Sequence, residues 1–353
     1  MSTQTINIEK TTQSRLQGID FEKVQFGKTF SDHMLVADYY DGAWRDFKIM
    51  PFQNIEVSPA FFTLHYGQSI FEGMKAHRSP EGEVVLFRPM DNFRRLNRSA
   101  QRMCIPQMDE SLLLEGLKQL ISLDRDWIPN TPDGSLYIRP FIYGTDEFIG
   151  VHPSEKYKFI LFTCPVNKYY DKPVKVKVET KYSRACEGGV GFAKAAGNYA
   201  ASLYPTKVAN NEGFDQLIWT DSVEHKYIEE SGTMNLMVII DDTIITPPAG
   251  ETILGGITRD SVLQIAKDLG FKTSERKLSI HEVVEAHEKG TLTDMFGTGT
   301  AVTITAISSF GYQGKVYELP PIESRSTSIR LKAELEAIKH GSKATQHDWV
   351  IKF

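Results

Sequence analysis

Long apolar runs are missing from this sequence. No stretch of its 353 residues is long and apolar enough to span a bilayer as a helix. The opening, MSTQTINIEKTTQSRLQGID, is polar and has no apolar core of the kind a secretory leader needs, so none is expected. Cysteine is scarce. The three present, Cys104, Cys164 and Cys186, are far apart and odd in number, which argues against a disulfide framework and for a reducing compartment, the cytoplasm by default. The 9 histidines fall into no zinc-ligand spacing, so no metal is expected. Charge of one sign is not concentrated: 40 Lys and Arg face 45 Asp and Glu, for a formal net charge of -5. Without a basic stripe, nucleic acid is not an expected partner. The 41% hydrophobic and 24% charged residues are an ordinary globular mix, in a chain long enough for two domains.

Turn chemistry and periodicity place the elements. HMLVADYYDGAWRDFKIM alternates on both sides of Asp41-Gly42, a hairpin signal. MKAHRSPEGEVVLFR reads as a second hairpin turning at Ser79 to Gly82. DNFRRLNRSAQRMCI is a helix with Asp91 as its candidate cap, and DESLLLEGLKQLISL carries apolar residues at helical spacing. SLYIRPFIYG and KYKFILFTCPV read as strands. The first half is therefore α+β with a largely antiparallel sheet. The polar, proline-containing stretch from Asn167 marks a connection, so the expected division is a smaller domain over 1–166, a connecting region over 167–182 and a larger domain over 183–353. The second half reads as a strand at VKVKVET, a helix from about Asn198, and short strands at DQLIWTD, HKYIEES and NLMVIIDDTIITPP. A helix at TRDSVLQIAKDLG has Thr258 as its candidate cap and Gly270 just past its end, and a last helix covers Ser326 to His340.

Four stretches bear on chemistry. In GGVGFAKAAGNYAAS, Lys194 is the only charged residue between Gly188 and Thr206. Burial among small groups disfavours an ammonium ion and frees the amine as a nucleophile or base. The plainer alternative is a lysine reaching from a helix start to solvent. In YIEESGTMNL, two carboxylates end a strand; one can hold a proton on a heterocyclic nitrogen, or both can be solvated. In ILGGITRDSV, glycines and a threonine precede a helix, an arrangement that suits a phosphate but also an ordinary capped turn. In MFGTGTAVTI, Gly297 to Thr300 offers a second candidate anion nest or a plain turn. Together they suit a cofactor with an aldehyde, a ring nitrogen and a phosphate, as pyridoxal 5'-phosphate has.

At this point the sequence resembles the branched-chain amino acid aminotransferases, in the fold-type IV group of pyridoxal phosphate enzymes. The likeness runs through HYGQSIFEGMKA, LYIRP, RACEGGVGFAKAAGNYAAS, EESGTMNL, GGITRD and MFGTGTA. It implies a two-domain α+β architecture of the D-amino acid aminotransferase-like kind, a small domain with substrate-pocket residues and a larger cofactor-binding domain. Lys194 matches the Schiff-base lysine, Glu230 the partner of the pyridine nitrogen, and Tyr199 the tyrosine on the ring hydroxyl. Arg95 matches the phosphate-binding arginine, and Ile257, Thr258 and Thr300 the other phosphate contacts. Leu254 matches the apolar residue against the ring, and Arg184 an arginine at the cofactor site. Tyr66, Tyr137, Arg139 and Tyr169 match pocket residues, and Thr300 and Ala301 the amide pair near the substrate carboxylate. A homodimer is implied. Mammalian members carry a Cys-x-x-Cys pair after the GTGTA turn; Val302 and Thr305 stand at those positions here, so no thiol switch of that kind is expected. The implied reaction is reversible transamination of L-leucine, L-isoleucine and L-valine with 2-oxoglutarate. A D-amino acid aminotransferase and an aminodeoxychorismate lyase share the fold, but are usually shorter and lack the FGKTFSDHML opening.

Overall fold

A computed structural model describes residues 5–131, 133–167 and 172–353. The chain forms two compact units, one of Met1–Tyr169, Ala193–Gly197 and Ile338–Phe353, the other of Tyr170–Phe192 and Asn198–Ala337. The division is thus not a single cut. The five residues around Lys194 and the C-terminal segment belong with the first unit. The expected connection over 167–182 is only partly one. Residues 168–171 lie outside those described, and Val174–Val178 is a strand of the second unit's sheet.

The first unit is built on β1 (Asn7–Ile8), β2 (His33–Tyr40), β3 (Ala43–Pro51), β4 (Ser69–Phe71), β5 (Met74–Arg78), β6 (Val84–Phe87), β7 (Ser135–Gly144) and β8 (Tyr157–Val166). Its helices are α1 (Phe62–Tyr66), α2 (Pro89–Arg102) and α3 (Glu110–Leu123). The sheet order is β1-β3-β2-β8-β7-β5-β6, closed off at β6 by the C-terminal strand Val350–Lys352, with β4 also on β7. Only the β1–β3 pair is parallel, as the alternating patterns imply. The β2–β3 hairpin turns at Asp41 (φ 49) and Gly42 (φ 74), the left-handed pair that suits the twist of two-residue hairpins. On α3, the Asp109 carboxylate caps Leu112 N–H at 3.0 Å, and Leu113, Leu117, Leu120 and Ile121 are buried at helical spacing. On α2 the expected cap is displaced. Arg88, at φ 51, precedes Pro89, and Pro89 opens the helix with the ring torsion a first turn requires. Asp91 sits inside that turn and binds Arg88 Nε at 2.7 Å. Leu35, Ile49, Leu86, Phe93, Leu96, Leu117 and Leu161 meet in the core, where Ala193 and Ala195 are also buried.

The second unit contains β9 (Val174–Val178), β10 (Gln216–Thr220), β11 (Ile228–Ser231), β12 (Met234–Ile240), β13 (Thr243–Thr246), β14 (Lys272–Glu275), β15 (Leu292–Gly299), β16 (Thr303–Tyr312) and β17 (Lys315–Glu318). The order is β11-β10-β9-β16-β15-β12-β13-β14, and β11 also pairs with β12. That pairing closes a ring through β9, β10, β11, β12, β15 and β16, so these strands leave little open edge. Helices α4 (Ala196–Asn211), α5 (Ile257–Asp268), α6 (Ile280–Glu288) and α7 (Ser326–Lys339) follow the chain around it. Gly270, at φ 80, ends α5 as its sequence position implies. Among the described residues no helix is long and apolar enough to cross a membrane.

Candidate active site

In the first unit, Lys194 lies in a short extended segment just before α4. Ala193 and Ala195 on either side are 1% exposed, so the alternation of an extended chain turns the lysine side chain away from them. The peptide is held at both ends. Lys194 N–H donates to Ser99 Oγ at 3.0 Å, and Lys194 C=O accepts from Phe71 N–H at 3.0 Å. Ala195 bridges Ile70, the middle residue of β4. Lys194 Nζ lies 4.8 Å from the centre of the Phe71 ring, and the Arg139 guanidinium lies 4.7 Å from the same ring. One aromatic floor therefore receives two cationic groups.

Phe71 leads directly into Glu72. The Glu72 carboxylate, 0% exposed, accepts from Arg95 Nε at 2.7 Å and Nη2 at 2.8 Å. The next residue, Gly73, is needed for space: a Cβ there would lie 2.2 Å from the Tyr137 hydroxyl. That hydroxyl accepts from Arg139 Nη2 at 3.1 Å, two residues along β7 and on the same face. Among the described residues Arg139 Nε is buried without a hydrogen-bond partner, and Asp146 is taken up by Ser154 Oγ and Glu155 N–H. Tyr66 ends α1, 37% exposed, with its ring 4.9 Å from that of Phe62. Tyr169 lies outside the described residues.

In the second unit, Glu230 stands on β11. Its Oε1 accepts from Leu254 N–H at 2.7 Å, and its Oε2 lies 3.0 Å from Arg184 Nε. This contact is an ion pair rather than an aligned hydrogen bond, and among the described residues Arg184 Nε has no hydrogen-bond acceptor. Arg184 Nη2 instead donates to the carbonyls of Gly191 and Thr252. Leu254, expected as an apolar surface, thus also fixes Glu230 through its main chain, and its carbonyl accepts from Asn235 Nδ2 at 2.8 Å. Glu229 and Glu230 are 6% and 4% exposed, so neither is a solvated strand end. Burial pushes the Glu229 carboxyl above the usual carboxylate range, against the opposing pull of Thr252 and Arg184. Glu229 Oε2 is buried and unpartnered.

The cap of α5 is Gly256 rather than Thr258, which lies one residue inside the helix. No side chain caps this end. The first return bond is Asp260 N–H to Gly256 C=O, so the geometry leaves the N–H groups of Ile257 and Thr258 without intrahelical acceptors. Only glycine fits at the cap: a Cβ on Gly256 would meet Asn235 Oδ1 at 1.9 Å. Gly297 to Gly299 are strand residues of β15, so of the four residues expected as a nest only Thr300 lies in the loop between paired Gly299 and Thr303. Tyr199 is half-buried within the first turn of α4, which starts at Ala196, two residues earlier than expected.

Sequence reasoning passed over Phe71, Glu72, Ser99 and Asn235. Two of these carried a signal. A glutamate inside SIFEGM and an asparagine inside TMNLMVII are polar residues in apolar strand contexts, and such groups need partners. Phe71 and Ser99 carried none, since an aromatic residue or a serine in those settings is ordinary.

The sequence model of amino-transferase class IV matches residues 69–310, and the chain belongs to that family. Fold-type IV enzymes of this kind use pyridoxal phosphate. Among curated relatives, branched-chain-amino-acid aminotransferase 2 of Bacillus subtilis (strain 168) is 45% identical over 353 residues, covering 99% of this chain and 97% of that one. The branched-chain-amino-acid aminotransferase of Mycobacterium tuberculosis is 38% identical, covering 93% of this chain and 91% of that one. Among solved structures, the branched-chain amino acid aminotransferase from Escherichia coli superposes with a TM-score of 0.72 at 26% identity, covering 91% of this chain and 98% of that one. A T.th. branched-chain amino acid aminotransferase complexed with N-(5'-phosphopyridoxyl)-L-glutamate gives 0.72 at 25% identity, covering 90% and 97%.

Proposed function

We propose that the chain transfers amino groups reversibly between L-leucine, L-isoleucine or L-valine and 2-oxoglutarate, with pyridoxal 5'-phosphate as its cofactor. The residues suit that cofactor. An amine (Lys194), a buried carboxylate for a ring nitrogen (Glu230) and a helix start with a glycine cap and no side-chain cap (Gly256) are all present. When bound, the cofactor supplies an aldehyde that takes up the amino group and a ring that accepts the electrons of the broken Cα–H bond.

The remaining work falls to side chains and amides. Lys194 Nζ is the amine that would hold the cofactor, and when free it would serve as the base that takes up and returns the substrate Cα proton. Glu230 would hold a proton on the ring nitrogen, with Arg184 compensating its buried charge. Tyr199 would donate to the ring hydroxyl, and Leu254 would offer the ring an apolar neighbour. Arg95, Thr258 and Thr300, with the Ile257 amide, hold the phosphate. Tyr66, Tyr137 and Tyr169 line the substrate space, and the Thr300 and Ala301 amides face the substrate carboxylate.

The observation that carries this reading is the shared floor under Lys194 and Arg139. An amine for the chemistry and a guanidinium for a carboxylate both lie near the centre of one aromatic ring, at 4.8 and 4.7 Å, and the carbon of that ring would suit a branched alkyl group. That combination matches the double demand of leucine and glutamate. The chain is further proposed to act as a homodimer in the cytoplasm, where its three free thiols stay reduced. A panel of L and D amino donors against 2-oxoglutarate tests the assignment. Turnover with the L branched-chain donors is expected, and pyruvate release from a non-branched substrate or a preference for D donors would overturn it.

A further inference from the structure

We propose that Ser99 is a positioning residue for Lys194: its buried hydroxyl holds the lysine's main chain and so sets where the amine starts from. The inference rests on Lys194 being the cofactor-bearing lysine. Ser99 lies in the interior of α2 and is 1% exposed. A serine inside a helix is a poorer choice than alanine, because its hydroxyl competes for the helix's own main-chain groups. Here the hydroxyl oxygen is engaged outside the helix, by Lys194 N–H at 3.0 Å. Alanine at 99 would serve α2 better and leave that N–H without the acceptor.

The lysine side chain explains why its main chain matters. Its stem has four rotatable carbons, and its amine must occupy two working positions, one bonded to the aldehyde carbon and one beside the substrate Cα. Such a stem is placed from its root. The Lys194 peptide unit is gripped from two elements, at the N–H by Ser99 on α2 and at the C=O by Phe71 on β4. The same Phe71 offers its ring to Nζ at 4.8 Å. Ser99 also lies one helical turn after Arg95, so one face of α2 carries both the lysine's anchor and the guanidinium fixed by Glu72. A shift of α2 would therefore move the lysine root and Arg95 together.

The test compares holoenzyme with Ser99→Ala. Borohydride reduction and peptide mapping come first, on the unsubstituted protein. Label on a lysine other than Lys194 would overturn the functional reading itself, whatever Ser99 does. With label on Lys194, three readouts address Ser99. Amide exchange of the peptide containing Lys194 should quicken by about 2- to 10-fold, the worth of one hydrogen bond, while peptides of α2 stay as protected as before. The pH midpoint of the visible absorbance of bound cofactor should shift. The kcat for leucine should fall by about tenfold or more, with KM within about twofold, because a misplaced group costs rate rather than binding. Thermal midpoint should hold, since alanine suits the helix. If Ser99→Ala does not fold, Ser99→Cys carries the same comparison, with similar size and a weaker acceptor. Unchanged exchange at Lys194 and an unchanged pH midpoint would overturn the proposal and leave Ser99 as a packing residue.

Discussion

Glu72 and Arg95 form a two-point ion pair sealed from water, with Nε on Oε1 at 2.7 Å, Nη2 on Oε2 at 2.8 Å, and side chains 0% and 6% exposed. The planar fork of the guanidinium meets both carboxylate oxygens, which fixes its orientation as well as its charge. Glu72 is followed by the glycine that admits the Tyr137 hydroxyl and preceded by the ring under Lys194 and Arg139. Three successive residues, Phe71, Glu72 and Gly73, thus each fix a different functional group of the first unit.

Removing one partner of such a pair strands the other's charge. Glu72→Ala is expected to lower the stability of the cofactor-free protein by about 3–5 kcal/mol, measured by urea unfolding. Glu72→Met combined with Arg95→Met is expected to recover much of that loss but to bind the cofactor poorly, read by equilibrium dialysis. A double variant that unfolds as easily as Glu72→Ala would show that the carboxylate matters for more than Arg95.

Glu230→Gln is expected to lose far more activity than Glu229→Gln, because a neutral amide cannot hold a proton on the ring nitrogen. At position 229 the amide resembles the neutral acid that burial already favours. The pH dependence follows from the same shift. A carboxyl whose folded pKa is raised binds its proton more tightly folded than unfolded, so stability falls as pH rises from the unfolded pKa to the folded one. Glu229→Gln should remove that fall and gain stability relative to the parent above the ordinary carboxylate range, with no gain below it. Urea midpoints across that range decide the point, and equal activity losses in the two variants would refute the separate roles.

Much of this architecture is legible in the chain. The Asp41-Gly42 hairpin, the α3 helix and the last helix lie where local turn chemistry and periodicity put them. Lys194 stands out as a lone charge and the α5 start by its glycines, whereas Glu230, one of two adjacent carboxylates, is singled out only by the family resemblance. What local pattern could not show was pairing at a distance. Asp91 and Thr258 have the chemistry of helix caps, but Arg88 at positive φ and Gly256 under Asn235 win those positions through contacts beyond the local pattern. The return of Ala193–Gly197 and Ile338–Phe353 to the first unit leaves no mark on composition. Phe71 and Ser99 meet Lys194 across more than 90 residues of chain, and nothing near either announces it.

Gly256 is a spatial requirement rather than a conformational one, since its φ of -69 suits any residue. Gly256→Ala puts a methyl group 1.9 Å from Asn235 Oδ1, so Asn235 or the first turn of α5 must give way. Strain of about 1–3 kcal/mol is the usual size of such overpacking. Because Asn235 also holds Leu254, the displacement should reach the Glu230 carboxylate. The expected result is weaker binding of pyridoxal phosphate, and weaker binding of inorganic phosphate as a competitor, with a small drop in thermal midpoint. Undiminished affinity for both would remove the α5 start from the phosphate site.

Arg139 is the residue on which dual substrate use turns. One reading makes it scaffold, paired with an acidic neighbour such as Asp146. The geometry favours the other: Asp146 is occupied by Ser154 and Glu155, while Arg139 faces the Phe71 ring and donates to the Tyr137 hydroxyl. A half-buried guanidinium whose Nε is buried and without a hydrogen-bond partner among the described residues has capacity for an incoming carboxylate. A leucine side chain needs only the aromatic surface, whereas a glutamate side chain that loses its water must find a charged or hydrogen-bonding partner. Arg139→Met keeps length and apolar contact and removes the charge. The half-reaction with glutamate should slow by roughly 10- to 150-fold, the loss of a hydrogen bond to a charged group, about 1.5–3 kcal/mol. The half-reaction with leucine should change by less than about threefold, a fraction of that energy. Stopped-flow absorbance of the cofactor follows each half separately. Equal slowing of both would return Arg139 to the scaffold and move carboxylate selection to another residue, with Tyr66 the first to test.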